Sequence, residues 1–265
     1  FLKNCYKTIG QLCHERGMKW HSENGGPWRI HSAMFKEADC LTFLGANDIP
    51  QGEFWSASPY RPETSNARYT SMAAHIYGKP LSSMEAFTSM MMHWTEYPGF
   101  LKPYADKNFI DGSNMFIWHT FTASPPEMGI PGYEYFAGTH FNPRVTWWEM
   151  SGDFVTYLGR CQHMLRQGIF VADVCSYVSD KNYHIQKWTR ATEWNSESTL
   201  RLNPGYTFDL LNTDVLVNRL SVKDGTLVLP DGMNYKLLVV DLHDQSVPTE
   251  ALKKIIELAK NGATV

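Results

Sequence analysis

The sequence predicts an α/β protein: the C-terminal portion of a (β/α)8 TIM-like barrel, followed by the beginning of a second α/β unit. Two observations carry this. Helical patterns and short apolar strands alternate at intervals of roughly 30 to 40 residues, as expected of parallel strands joined by crossover helices. Polar residues suited to chemistry also follow several strands rather than one: His21, Ser22 and Glu23; Asp48, Gln51 and Glu53; Glu85; His119 and Thr120; Ser179 and Asp180. A barrel spreads its chemistry over the C-terminal ends of many strands. An open doubly wound sheet would concentrate it at one switch point, and no glycine-rich phosphate loop is present.

The elements follow in order. "FLKNCYKTIGQLCHERG" places Leu2, Cys5, Ile9, Leu12 and Cys13 at helical spacing and stops at Gly17. A strand over 18–22 follows. "HSAMFKEAD" reads as a helix leading to a strand over 41–47. "TSNARYTSMAAHIYG" is a helix closed by Gly78, before a strand over 81–85 that ends at Glu85. A helix interrupted at Pro98 precedes the strand over 115–119, and "GDFVTYLGRCQHMLRQG" precedes the last strand of the series, 170–175. Beyond residue 190 the turn signals Asn-Pro-Gly, Asp-Gly and Pro-Asp-Gly mark a linker. "YKLLVVD" (235–241) is a fully buried type of strand, and "PTEALKKIIELAKNG" is the helix after it. The expected division is therefore 1–190 for the barrel portion, and 191–265 for a linker and the start of a second, truncated unit.

Of the 265 residues 43% are hydrophobic and 19% charged, which suits a globular chain with a sizeable core. A formal net charge of -3 gives no electrostatic case for nucleic acid or anionic membranes. No apolar run approaches the roughly 20 residues of a membrane span. Nine tryptophans are notable, because indole faces suit the C–H faces of sugars as well as cores. Five cysteines in an odd, scattered set show no CxxC spacing and define no disulfide framework. The chain begins with Phe and stops at "KNGATV", where another strand would start, so it reads as an internal piece of a longer protein. Oligomeric state cannot be read from it.

Four acids compete for chemical roles. Glu23, in "WHSENGGP", is followed by two glycines that let a loop approach a ligand; otherwise it is a loop carboxylate. Glu53, in "DIPQGEFW", is either functional or a surface acid beside a packed Trp55. Glu85 has apolar neighbours, so a solvated charge explains it poorly. Glu149, in "TWWEM", precedes a helix and suits a capping role. Two carboxylates on separate strands are what glycoside hydrolysis needs, one kept protonated as acid and one charged. His21, His119 and His140, with Trp55, Trp147 and Trp148, are candidates for binding sugar hydroxyls and ring faces, against the alternative of satisfied core residues. No GxSxG elbow or HExxH helix occurs, and the His and Asp residues lack a zinc spacing.

Six stretches in fixed order, "WHSENGGP", "DIPQGEFW", "MEAFTS", "DGSNMFIWHTFT", "PGYEYFAGTHFNPRVTWWEMSGDFVTYLGRCQHMLRQG" and "ADVCSYVSD", resemble the catalytic region of glycoside hydrolase family 106, the α-L-rhamnosidases. The resemblance is dense over about residues 1–190. It continues into "LPDGMNYKLLVVD", which is similar to a flavodoxin-like (glutamine-amidotransferase-like) segment. It implies an incomplete barrel, inversion at the anomeric carbon, two catalytic glutamates, a carbohydrate substrate and a calcium ion near the sugar hydroxyls. Within it, Glu23 is assigned as general acid and Glu85 as general base, with Glu53 the substitute for either and one candidate calcium ligand. The parent protein is expected to be periplasmic or secreted. A retaining β-galactosidase-like hydrolase and a non-catalytic sugar-binding module remain alternatives.

Overall fold

The computed structural model describes residues 1–23, 39–57, 64–90, 93–180, 202–240, 242 and 246–265. Helix α1 (Tyr6–His14) leads to strand β1 (His21–Glu23). Helix α2 (Cys40–Gly45) leads to β2 (Ile49–Ala57), and α3 (Ala67–Ile76) to β4 (Ser83–Ser89). Helix α4 (Pro98–Ile110) leads to β5 (Met115–Trp118). These strands form one sheet in the order β1-β2-β4-β5, every pair parallel, and a two-residue β3 (Thr64–Ser65) joins β2 antiparallel. Three of the five expected strands thus lie in this sheet within a few residues of their expected places, and α/β alternation is confirmed.

Two boundaries differ. The strand expected over 41–47 is helix α2, because Asp39 caps it, accepting from the Thr42 backbone N–H at 3.3 Å. The strand lies one step later, so that "IPQGEFWSA" is strand rather than loop. A short apolar run such as "CLTFLG" does not distinguish buried helix from buried strand by its pattern. Pro98 begins α4 rather than interrupting a helix; at the first helical position its missing N–H leaves no hydrogen bond unmade.

The larger correction concerns the strand expected over 170–175. Strand β6 (Val174–Tyr177) does not join the first sheet. It is the centre of a second parallel sheet, between β7 (Phe208–Leu211) and β11 (Leu237–Val240). The divide expected near residue 190 therefore runs through a hydrogen-bonded sheet. A turn-rich stretch looks like a linker locally, but strand pairing is non-local and the apolar run Val174–Tyr177 is buried along its whole length. Helix α6 (Thr213–Asn218) follows β7; β8 (Ser221–Lys223), β9 (Thr226–Val228) and β10 (Asn234–Tyr235) form an antiparallel three-stranded sheet; α7 (Thr249–Lys260) closes the chain.

One apolar core joins the two halves: Leu41, Met72 and Ile76 pack with Leu210, Leu211, Leu216 and Leu258. A second core lies under the first sheet and comprises Phe54, Met84, Ala86, Phe87, Leu101, Phe109, Phe154 and Leu158, the last two from α5 (Ser151–Leu165). Side chains alternate between the faces of a strand. With Phe54, Met84 and Ala86 committed to this core, positions 51, 53, 55, 83 and 85 must point to the other face.

Candidate active site

That other face carries the chemistry. The register sets Glu23 beside Gln51, Gln51 beside Ser83, and Glu53 beside Glu85. Gln51 Nε2 donates to Glu23 Oε1 at 2.9 Å, and a hydrogen bond of 3.1 Å joins His21 Nε2 and Ser83 Oγ. His21, Glu23, Glu53, Trp55 and Glu85 are thus brought together by strand periodicity. The expectation that they follow the strands is corrected for two of them. Glu53 and Glu85 lie within β2 and β4, not at their ends.

Glu53 is buried, and the ladder sets it directly beside Glu85. Trp55 Nε1 donates to Glu53 Oε1 at 2.5 Å. Burial, then the hydrogen bond and charge of Glu85, push the Glu53 carboxyl up to about 9, so at neutral pH it holds a proton. Glu85 is only partly buried and accepts a 2.6 Å hydrogen bond from Thr88 Oγ1. In a regular strand residues three apart face opposite ways. Phe87 takes a left-handed φ of 64°, the ladder with β2 shifts register there, and this irregularity turns the Thr88 hydroxyl back to Glu85. Neither the irregularity nor Thr88 was visible as a signal in the sequence. Gly52 has a specific reason to be glycine, since a Cβ there would lie 2.2 Å from Asn66 Oδ1. That oxygen accepts from the Glu53 backbone N–H at 2.9 Å and fixes the strand at the acid.

Glu23 stands at the end of β1, on the sheet edge. Burial and the Glu85 charge raise its carboxyl above the ordinary range, while Gln51 and His119 oppose the rise. His119 follows β5 and places Nε2 3.8 Å from Glu85 Oε1, an electrostatic rather than a hydrogen-bonding contact. Its backbone is held from both sides, by Ala86 O and by the Thr139 N–H. Gly138, at φ 112°, lets this approach occur; a Cβ would lie 2.6 Å from His119 Nδ1.

The remaining candidates sit apart from the acids. His140 contacts His93, Trp94 and Glu134. Trp147 is buried, donating to Glu96 O at 2.9 Å, and Trp148 packs near Phe141 and Phe121. Glu149 is exposed in the turn before α5. His93 and Glu134 were not singled out in the sequence.

The calcium ion implied by the family would need about six to eight oxygen ligands. Among the described residues no group of three or more His, Cys, Asp and Glu side chains is placed to hold a metal ion. Glu53, the candidate ligand, stands beside the second carboxyl of Glu85 in the ladder. Carboxyl oxygens are donors of the kind calcium takes, and no step below is routed through the ion. Among the described residues no helix is long and apolar enough to cross a membrane.

Known proteins resemble this chain over nearly its whole length. A curated protein of Formosa agariphila, named "Putative beta-glucuronidase", is 32% identical over 270 residues, covering 99% of this chain and 21% of that protein. The rhamnosidase structure from Novosphingobium sp. PP1Y superposes with a TM-score of 0.80 at 24% identity, over 97% of this chain and 24% of that one. The chain thus spans about a fifth to a quarter of the length of the relatives it matches. The family model described as alpha-L-rhamnosidase matches residues 1–265, and the chain belongs to that family, glycoside hydrolase family 106.

Proposed function

We propose that the intact protein releases terminal α-L-rhamnosyl groups from plant or microbial glycans by a single inverting displacement, with Glu23 as general acid and Glu85 as general base. The observation that carries the assignment is the direct pairing of Glu53 with Glu85 on adjacent strands. An inverting acid and base stand about 6.5–9.5 Å apart, leaving room for a water between them. Two carboxyls paired directly across strands about 4.8 Å apart do not leave that room. Glu23, on a different strand, is the acid left to oppose one of them, and Glu85 is the more accessible of the two.

In this scheme Glu23 gives its proton to the glycosidic oxygen as the bond to the anomeric carbon breaks. Glu85 takes a proton from the water whose oxygen bonds to that carbon. Glu53 supplies neither proton; protonated, it donates to Glu85, and with Thr88 it holds that carboxylate oriented. Rhamnose also suits the field better than a glucuronate would. The charged base Glu85 repels a substrate carboxylate, whereas a neutral 6-deoxy sugar brings no charge. The parallel sheet β1-β2-β4-β5 is read here as part of a (β/α)8 barrel, with the unit that follows beginning at β6 rather than after residue 190.

The test is a panel of aryl glycosides given to the intact protein. The α-L-rhamnoside should be cleaved, and the β-D-glucuronide and β-D-galactoside should not. Preferential cleavage of the glucuronide would overturn the substrate assignment. Binding of rhamnosides without turnover would favour a sugar-binding module.

A further inference from the structure

A second constellation lies beyond the C-terminal end of β4, and the proposed hydrolysis does not use it. His93 Nδ1 and His140 Nε2 are hydrogen-bonded at 2.5 Å. The other nitrogen of His140, Nδ1, lies 2.7 Å from Glu134 Oε2, a contact too bent for a good hydrogen bond but close enough for strong attraction. His140 is 3% exposed, and both Glu134 carboxylate oxygens are buried. The arrangement is a row from a buried acid, through a buried imidazole, to an exposed one. Trp94, adjacent in sequence, covers His140 with ring centroids 4.2 Å apart and leaves 39% of its own surface in solvent. It does so at a φ of 68°, a conformation that a bulky side chain adopts only when its surroundings impose it.

The tautomers follow from the charges. The Glu134 Oε2 beside Nδ1 favours a proton on that nitrogen, since a lone pair there would face an acceptor oxygen; burial raises the Glu134 carboxyl, while Arg144, His93 and Asn142 oppose the rise. Burial, and the neighbouring His93, pull His140 down to about 4, so it stays neutral and carries a single N–H. Its Nε2 must then accept from His93 Nδ1–H. That leaves His93 Nε2 as a fixed acceptor, beside an indole, at the surface.

We propose that His93 and Trp94 form a subsite for a pyranose ring of the leaving group, Nε2 accepting a sugar hydroxyl while the indole covers the ring's C–H face. Glu134 and His140 are positioning residues for His93. The location fits this occupant. Strand rise of about 3.3 Å per residue puts Ser89 roughly 13 Å beyond Glu85 along β4. The Gly138 N–H donates to Ser89 O, and the Thr139 N–H to Phe87 O and His119 O, so the segment carrying His140 is tied to the end of β4 and to His119, whose imidazole faces Glu85. A terminal sugar held at the acids reaches this distance only through its leaving group. The direction of the chain rests on the reading of Glu23 and Glu85 above.

The experiment compares, in the intact protein, a rhamnose-terminated trisaccharide with α-L-rhamnosyl fluoride, whose leaving group is one atom. His93→Ala and Trp94→Ala should each lower kcat/KM for the trisaccharide at least about tenfold, mainly through KM, and change the fluoride less than about twofold. Glu134→Gln, which leaves both contact residues in place, should reproduce part of the His93→Ala loss on the trisaccharide alone. Equal losses on the two substrates would show a structural role and overturn the subsite, as would no loss on the trisaccharide. If the protein hydrolyses neither substrate, the reading of the acids fails. Trisaccharide binding, followed by quenching of tryptophan emission, must then still weaken about tenfold in Trp94→Ala for the subsite to stand.

Discussion

Burying Glu53 against a second carboxyl gives the site a pH dependence whose sign is fixed. Its pKa of about 9 in the folded chain is raised above the unfolded value, so the folded state binds the proton more tightly. The stabilisation is complete at pH values below the ordinary carboxylate range and is lost as pH rises toward 9. Glu53→Gln imitates the protonated acid. Its melting temperature should fall less than that of the unaltered protein between pH 6 and 9, and a parallel fall in both would show that Glu53 is ionised throughout. Glu23 and Glu85 separate by leaving group. Glu85→Gln should cost at least about a hundredfold in kcat on every rhamnoside, with an unchanged melting profile. Glu23→Gln should cost as much on alkyl rhamnosides and far less on rhamnosyl fluoride, which needs little acid assistance. At this scale the three carboxyls that the sheet brings together stood out in the sequence, because carboxylates among apolar neighbours are conspicuous. Their partners were not. Thr88 reaches Glu85 only through the irregularity at Phe87, and Glu134 meets His140 only after a turn of the chain.

Strand β2 was hidden by its own contents. Gly52, Glu53 and Pro50 argue against a strand by propensity, yet Asn66 pins the backbone at Glu53 and Gly52 gives it room. Gly52→Ala would drive a Cβ into Asn66 Oδ1 and Thr70 Oγ1, both closer than 2.5 Å to its ideal position. The expected cost is about 1–3 kcal/mol, the range for overpacking a tight site. It should appear as a lowered denaturant midpoint, together with a loss of activity exceeding that of an exposed control such as Gly152→Ala, where nothing lies within 4 Å. A stability equal to that of the unaltered protein would show that β2 can shift without harm. Strand β4 misled in the opposite way. "LSSME" (81–85) reads as an apolar run ending in an acid, but small Ser83 and Ala86 mask an alternation that puts Glu85 on the polar face and Met84 in the core.

Across the whole molecule, the helix–strand rhythm made the α/β class legible, while the grouping of strands into sheets was not. Strand β6 follows the first four in rhythm but pairs with β7 and β11, far along the chain. Local turn signals carry no information about such partners. A chain ending at residue 180 keeps the first sheet and all three glutamates but leaves β6 without either neighbour. It should lack a cooperative thermal transition and bind a hydrophobic dye, whereas cooperative melting would restore a boundary near 190. The central claim, that Glu23 and Glu85 act from opposite sides of the anomeric carbon with a water at Glu85, has one direct measurement. Proton NMR of an aryl α-L-rhamnoside mixed with the intact protein shows which anomer of free rhamnose forms before mutarotation. The assignment of Glu23 as acid and Glu85 as base toward water predicts β-L-rhamnose first; α-L-rhamnose as the first product would mean retention and would contradict it.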